Sequence, residues 1–99
     1  MTGPEAAIER KFMRDVRDKL GIIASKLGVD GMPDDVLWLP GSPMLIEFKR
    51  PGEQPTRRQW YWIEIFRSLG YDAQFFDDGE RAFEYVKKEV ERRLGRSIE

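Results

Sequence analysis

Pro33-Asp34-Asp35-Val36-Leu37-Trp38-Leu39-Pro40-Gly41-Ser42-Pro43-Met44-Leu45-Ile46-Glu47-Phe48-Lys49 is the stretch that decides the fold. Two apolar runs flank a Pro/Gly/Ser turn, which reads as a β-hairpin. An aspartate opens the first run and a Glu-x-Lys closes the second. With Pro40 to Pro43 as a four-residue loop, Leu39 pairs with Met44, Leu37 with Ile46, Val36 with Glu47 and Asp34 with Lys49. Side chains alternate between faces along a strand. Asp34, Val36, Trp38, Leu45, Glu47 and Lys49 therefore share one face, and Asp35, Leu37, Leu39, Met44, Ile46 and Phe48 share the other. Asp34, Glu47 and Lys49 gather at the open end of the hairpin. A slip of one residue would bring Asp35 there instead. Both faces are largely apolar, so the pair belongs at the centre of a sheet covered on both sides by helices.

The covering helices are legible on either side of the hairpin. Residues 4–20 carry Ile8, Phe12, Val16 and Leu20 at helical spacing, with Met13 beside them, Pro4 in the first turn and Gly21 as the stop. Glu5 and Glu9 project inside that apolar arc, while Arg10, Lys11, Arg14 and Arg17 take the opposite side. Ile22 to Ala24 reads as a short extended piece, followed by a loop through Gly28, Asp30, Gly31 and Pro33. A second helix spans Thr56 to Leu69, with a Thr56/Gln59 capping box, a buried face of Trp62, Ile63, Ile65, Phe66 and Leu69, and Gly70 as its end. Gln59 points into that face, either to cap the backbone or to stand at the mouth of the charged cluster. Tyr71 to Phe76 is a further strand, and the last helix runs from about Glu80 to Leu94. The acidic run Asp77-Asp78-Glu80 reads as the cap of that helix rather than as a metal site.

The chain has 99 residues, which predicts a single domain over residues 1–99. Lys and Arg number 17 against 18 Asp and Glu, so no global field favours nucleic acid, and any affinity for it needs a local patch. Lys49, Arg50, Arg57 and Arg58 are the most concentrated candidates. The sequence has no cysteine and no histidine, which excludes disulfides, zinc-thiolate sites, a cysteine nucleophile and a Ser-His-Asp triad. Chemistry is left to carboxylates, lysine, tyrosine and metal-bound water. No apolar run approaches the ~20 residues that span a bilayer, so the expectation is a soluble, intracellular protein without a membrane partner.

Two neighbouring carboxylates repel unless a cation joins them, and Mg2+ or Mn2+ favours carboxylate, carbonyl and water ligands. Such a metal lowers the pKa of bound water and offsets charge on a phosphoryl oxygen. Lys49 would then steady the attacking water or the pentavalent phosphate. The backbone carbonyl of Phe48 is a further possible ligand, and Glu5 or Glu9 would add an acid from the first helix. The set suits phosphodiester hydrolysis. A plain Glu47–Lys49 salt bridge is the competing structural explanation.

Gly31-Met32-Pro33-Asp34, Leu39-Pro40-Gly41, Ile46-Glu47-Phe48-Lys49, Pro51-Gly52, Pro55-Thr56 and Gln59 together resemble the virus-type replication-repair nuclease (VRR-Nuc) family, part of the PD-(D/E)xK nuclease superfamily. Ile8-Glu9, Lys26 and Leu69-Gly70-Tyr71 are similar to its pattern as well, so the likeness covers residues 5–77. It implies an α/β, restriction-endonuclease-like core: a helix, then a small mixed sheet flanked by helices. It implies Asp34, Glu47 and Lys49 as the catalytic set, Gln59 and a first-helix acid as assistants, and Mg2+ or Mn2+ as cofactor. It favours Glu9 over Glu5 as that acid; next to such a cluster the basic residues Lys26, Arg50, Arg57 and Arg58 read as contacts to the DNA backbone. Asp35 departs from the pattern, where arginine is common, which bears on local substrate contacts. Small stand-alone members are associated with branched DNA such as four-way (Holliday) junctions, in DNA repair in a bacterium or a phage-infected cell. The expected activity is a structure-selective endodeoxyribonuclease. The alternative is a non-catalytic DNA-binding or assembly module of the same fold. One site per chain implies a homodimer for symmetric cutting, and Trp60, Tyr61 and Trp62 offer more aromatic surface than one helix face buries.

Overall fold

The structure is a computed structural model, described over residues 3–98. It runs α1 (Pro4–Leu20), β1 (Ala24–Lys26), β2 (Asp35–Leu37), β3 (Met44–Phe48), α2 (Arg57–Ser68), β4 (Asp72–Phe76) and α3 (Gly79–Leu94). The strands form one mixed sheet in the order β1-β2-β3-β4. β1, β2 and β3 pair antiparallel, as short connections permit, whereas β3 and β4 pair parallel. A parallel pair needs a crossover, and α2 supplies it.

β3 sits at the centre and is buried along its whole length. One face of the sheet carries Leu37, Met44, Ile46 and Phe48 against Phe12 and Val16 of α1 and Ala82, Val86 and Val90 of α3. The other carries Leu45 and Ala73 against Ile63 of α2, with Val36, Trp60, Phe66 and Phe75 around them. The continuous apolar run in β3 follows from this double cover. A radius of gyration of 12.9 Å is that of one compact globule of this length. No helix among the described residues is long and apolar enough to cross a membrane.

The helix ends follow the local sequence. Gly21 closes α1 in the left-handed conformation (φ 68°), its N–H donating to the Arg17 carbonyl while Ile22 reaches Val16. Both halves of the α2 capping box are present: the Gln59 N–H donates to Thr56 Oγ1 at 3.2 Å, and the Thr56 N–H donates to Gln59 Oε1 at 2.9 Å. Asp78 Oδ1 accepts the N–H groups of Glu80 and Arg81 and starts α3.

The hairpin register differs from the expected one. Asp35 lies opposite Ile46, Val36 opposite Leu45 and Leu37 opposite Met44, a shift of two residues from the pairing drawn from a four-residue loop. The connection is longer because β2 stops at Leu37. Trp38 turns its N–H to Ile23 on the β1 side, and the Leu39 N–H folds back on the Leu37 carbonyl. Arg93 of α3 then holds the turn through the carbonyls of Pro40 and Ser42. A two-residue slip leaves every side chain on its face, so hydrophobic alternation cannot distinguish the two pairings. The first strand also begins later than expected, at Ala24, with Ile22 drawn into the core beneath α1.

Candidate active site

The end of the sheet where β2 begins and β3 finishes carries the acidic residues. Asp34 precedes β2 by one residue, and its Oδ2 accepts the backbone N–H of Phe48 at 3.0 Å. Phe48 thus engages Asp34 through its amide, while its ring packs on Phe12. Glu47 is 3% exposed, and its Oε2 accepts from Gln59 Nε2 at 3.2 Å. Gln59 therefore does both jobs the sequence allowed it, capping α2 with its carbonyl oxygen and holding Glu47 with its amide nitrogen. Asp34 and Glu47 lie within hydrogen-bonding reach of one another.

Glu9 reaches the same end of the sheet from α1. It is 2% exposed, its Oε1 receives the Lys26 ammonium at 2.5 Å, and the Asp35 carboxyl lies beside it. Glu5 does not join. It faces Arg50, whose Nε lies 2.9 Å from Glu5 Oε2, so the choice between the two helix acids falls on Glu9 as the one in the cluster. Lys49 is buried and its ammonium lies 3.7 Å from Glu53 Oε1. It forms no salt bridge with Glu47, and the structural explanation for the Glu-x-Lys pair has no contact to rest on.

Asp35 is the residue whose part in the cluster the sequence reading missed, having set it only on the opposite face. It is fully buried on the α1 face, and neither of its oxygens has a hydrogen-bond donor. Glu9 Oε2 and Glu47 Oε1 are buried without a donor as well. The signal was present in the sequence. Asp35 sits on the same strand face as Leu37, Ile46 and Phe48, opposite a helix stripe that itself carries Glu9, so two misfit carboxylates lie on apposed apolar surfaces.

Such burial has electrostatic consequences. Desolvation, followed by the neighbouring Glu9 carboxyl, pushes the Asp35 carboxyl up to about 9. Desolvation and the Asp34 charge push Glu47 up to about 8, against the pull of Lys49. Asp34 is also raised, chiefly by burial, with the Phe48 amide opposing. Burial works against the charge of Glu9, but the neighbouring Asp35, which donates to it when protonated, and the Lys26 ammonium outweigh burial and hold its carboxyl below the usual range. Each of these acids competes with a neighbour for the same protons, as carboxylates short of positive charge do.

The acids are arranged pairwise, Glu9 with Asp35 and Asp34 with Glu47. Among the described residues no three of them converge on one point at metal-ligand spacing. The donor set nevertheless fits a hard divalent cation: anionic oxygens, several of them buried without donors, and no sulfur or imidazole in the chain.

The basic residues expected around the site are mostly engaged. Lys26 is on Glu9 and Arg50 on Glu5. Arg58 lies over Gly31, where a Cβ would come within 2.5 Å of its Nε, and reaches Asp30 at 3.4 Å. Arg57 is exposed and has no ion pair within 4 Å among the described residues. Of the three successive aromatics in α2, Trp60 packs edge-on against Phe75, Trp62 lies against Phe66, and Tyr61 stays 60% exposed. No protein-family model matches the chain, and neither a curated protein nor a solved structure matches it.

Proposed function

We propose that this chain is a divalent-metal-dependent DNA endonuclease with a restriction-endonuclease-like core, acting on branched DNA such as four-way junctions. One observation carries the reading. Buried carboxyl groups of Glu9 and Glu47, from α1 and β3, and the half-buried Asp34 just before β2 lie at one end of the sheet with a buried lysine, and Glu9 and Glu47 each keep an oxygen without a donor. A fold has no structural use for such a set, since each unpaired buried oxygen costs about 1–3 kcal/mol. A divalent cation offsets that cost.

Asp34, Glu47 and Glu9 are the residues that would hold Mg2+ or Mn2+. The bound ion would supply an acidified water and a counter-charge for the phosphoryl oxygen. The protein's own part is positional. The Phe48 amide orients Asp34, and Gln59, anchored by its cap on α2, orients Glu47. Lys49 brings a compact charge with three donors to the same face, suited to the developing negative charge on phosphorus. The restricted exposure of Glu9, Glu47 and Lys49 lowers the local dielectric and strengthens each of these interactions.

A second reading, a DNA-binding or assembly module without catalysis, draws support from the pairwise arrangement of the acids, with no three converging among the described residues. One cleavage panel separates the two. Labelled four-way junction, flap, linear duplex and single-stranded DNA are incubated with Mg2+, Mn2+ or EDTA, using wild type, Glu47→Ala and Lys49→Ala. Cation-dependent cutting that falls at least 100-fold in both variants is the expected result. Binding without cutting under every condition would favour the module, and cutting that survives Glu47→Ala would remove this cluster from the reaction.

A further inference from the structure

α1 and β1 bound a second feature, a shallow groove of about 420 Å3 on the side of the molecule away from α2. Arg10, Met13, Arg14 and Arg17 line one wall, and Ile22, Ile23 and Ala24 line the other, with no acidic residue in the lining. At about 100° per residue these arginines fall within a narrow sector of the helix. Arg17 lies against Asp18 at 2.9 Å outside the groove lining, whereas Arg10 and Arg14 make no ion pair within 4 Å among the described residues. Lys26, Lys49, Arg50 and Arg58, by contrast, are each matched with a carboxylate.

The groove also has a direction. Arg17 and Ile22 are the lining residues nearest the α1–β1 turn in the chain, and Arg10 and Ala24 the ones furthest from it. One step further along α1 is Glu9, and two steps further along the facing chain is Lys26, joined to Glu9 at 2.5 Å. The groove therefore ends at the acidic cluster.

We infer that this groove is the track for one sugar-phosphate strand of the nucleic acid, with Arg10 and Arg14 as its phosphate contacts, leading the strand to the carboxylates. The inference rests on the nuclease reading above. A guanidinium fork matches phosphate oxygens in geometry as well as in charge. From the helical rise, Arg10 to Arg17 span roughly 10 Å, about three nucleotides at the 3.4 Å per-strand spacing of duplex DNA. Exposed Ile23 on the opposite wall, 68% exposed, gives the sugar edge an apolar surface. The basic cluster expected at Lys49, Arg50, Arg57 and Arg58 is, by comparison, largely neutralised by Glu53, Glu5 and Asp30.

The test is the salt dependence of junction binding in EDTA, where no cutting occurs, followed by fluorescence anisotropy. The double variant Arg10→Gln/Arg14→Gln is compared with wild type and with Arg81→Gln/Lys88→Gln, which removes two exposed cations of α3 outside the groove. The groove variant is expected to lose about 1.8 from the slope of log K against log salt concentration, since each duplex phosphate contact contributes about 0.9. The α3 variant is expected to keep the wild-type slope. A Mn2+-induced rise in melting temperature equal to that of wild type would show that the groove variant is folded and its acidic cluster intact. An unchanged slope in a folded groove variant, with wild type still binding, overturns the track and leaves the nuclease reading standing. Failure of wild type to bind any DNA overturns both.

Discussion

Asp35 shows at the residue scale what the fold tolerates. A fully buried carboxyl without a donor, set beside another carboxyl, is among the costlier arrangements in a small protein. Its pKa, raised to about 9 by burial and Glu9, means that the folded protein binds this proton where an unfolded chain, at about 3.9, has lost it. Between those values the folded state binds more protons than the unfolded state, so this residue's contribution to stability falls as pH rises through the window. An amide needs no proton and donates to Glu9. Asp35→Asn is therefore expected to raise metal-free stability by on the order of 2 kcal/mol at pH 8, and by much less at pH 5. Urea denaturation in EDTA at the two pH values measures this. A variant less stable than wild type at pH 8 would show that the Asp35 charge is compensated in a way its surroundings do not reveal.

At the scale of elements, α2 joins fold and site through one side chain. Thr56 supplies only a cap, whereas Gln59 supplies the other half of the capping box and also the donor to Glu47. Thr56→Ala is expected to cost about 1 kcal/mol, an ordinary loss of an N-cap. Gln59→Ala is expected to cost more, because it leaves both the Thr56 N–H and a buried carboxylate oxygen without a partner. Chemical denaturation of the two variants under identical conditions decides the order. If Thr56→Ala proved the worse, the Gln59–Glu47 contact would carry no weight. The hairpin teaches a related point. Its faces, and hence the company of Asp34, Glu47 and Lys49, were legible from alternation alone, yet the pairing was off by two residues. The turn depends on contacts no local pattern encodes: Trp38 committing to Ile23, and Arg93, far along the chain, clamping Pro40 and Ser42.

On the scale of the whole molecule, the acidic cluster should make stability respond to cations. Glu47, with its carboxyl raised to about 8, must give up its proton before it can face a metal. A cation therefore gains more at high pH, where that proton is already weakly held. Mn2+ at about 100 times its dissociation constant is expected to stabilise wild type by about 2.7 kcal/mol. The rise in melting temperature should be larger at pH 8 than at pH 5 and reversed by EDTA. Glu47→Gln is expected to abolish most of that response without unfolding the protein, because the amide fills the same space without the charge. Thermal melts across pH and metal check this, and a response equal at pH 5 and pH 8 would count against the buried acids as the binding groups.

The sequence by itself determined the elements and their faces, because helical and strand periodicities, capping residues and glycine stops are local. Pro4, Gly21, the Thr56–Gln59 box and Asp78 each act within a turn of their own position. It also determined that Asp34, Glu47 and Lys49 share a face, since parity along a strand survives any even shift of register. Only the tertiary structure decided which distant groups meet. It turned Glu9 rather than Glu5 into the cluster, set Asp35 against Glu9, drew Arg50 and Arg58 onto acids, and left Arg10 and Arg14 beside β1 without an acidic partner among the described residues. Apart from the Arg58–Asp30 pair, which joins α2 to the β1–β2 loop, those outcomes depend on how α1 lies across the sheet, and that orientation is set by packing Phe12 and Val16 against Leu37, Ile46 and Phe48, contacts between residues far apart in sequence.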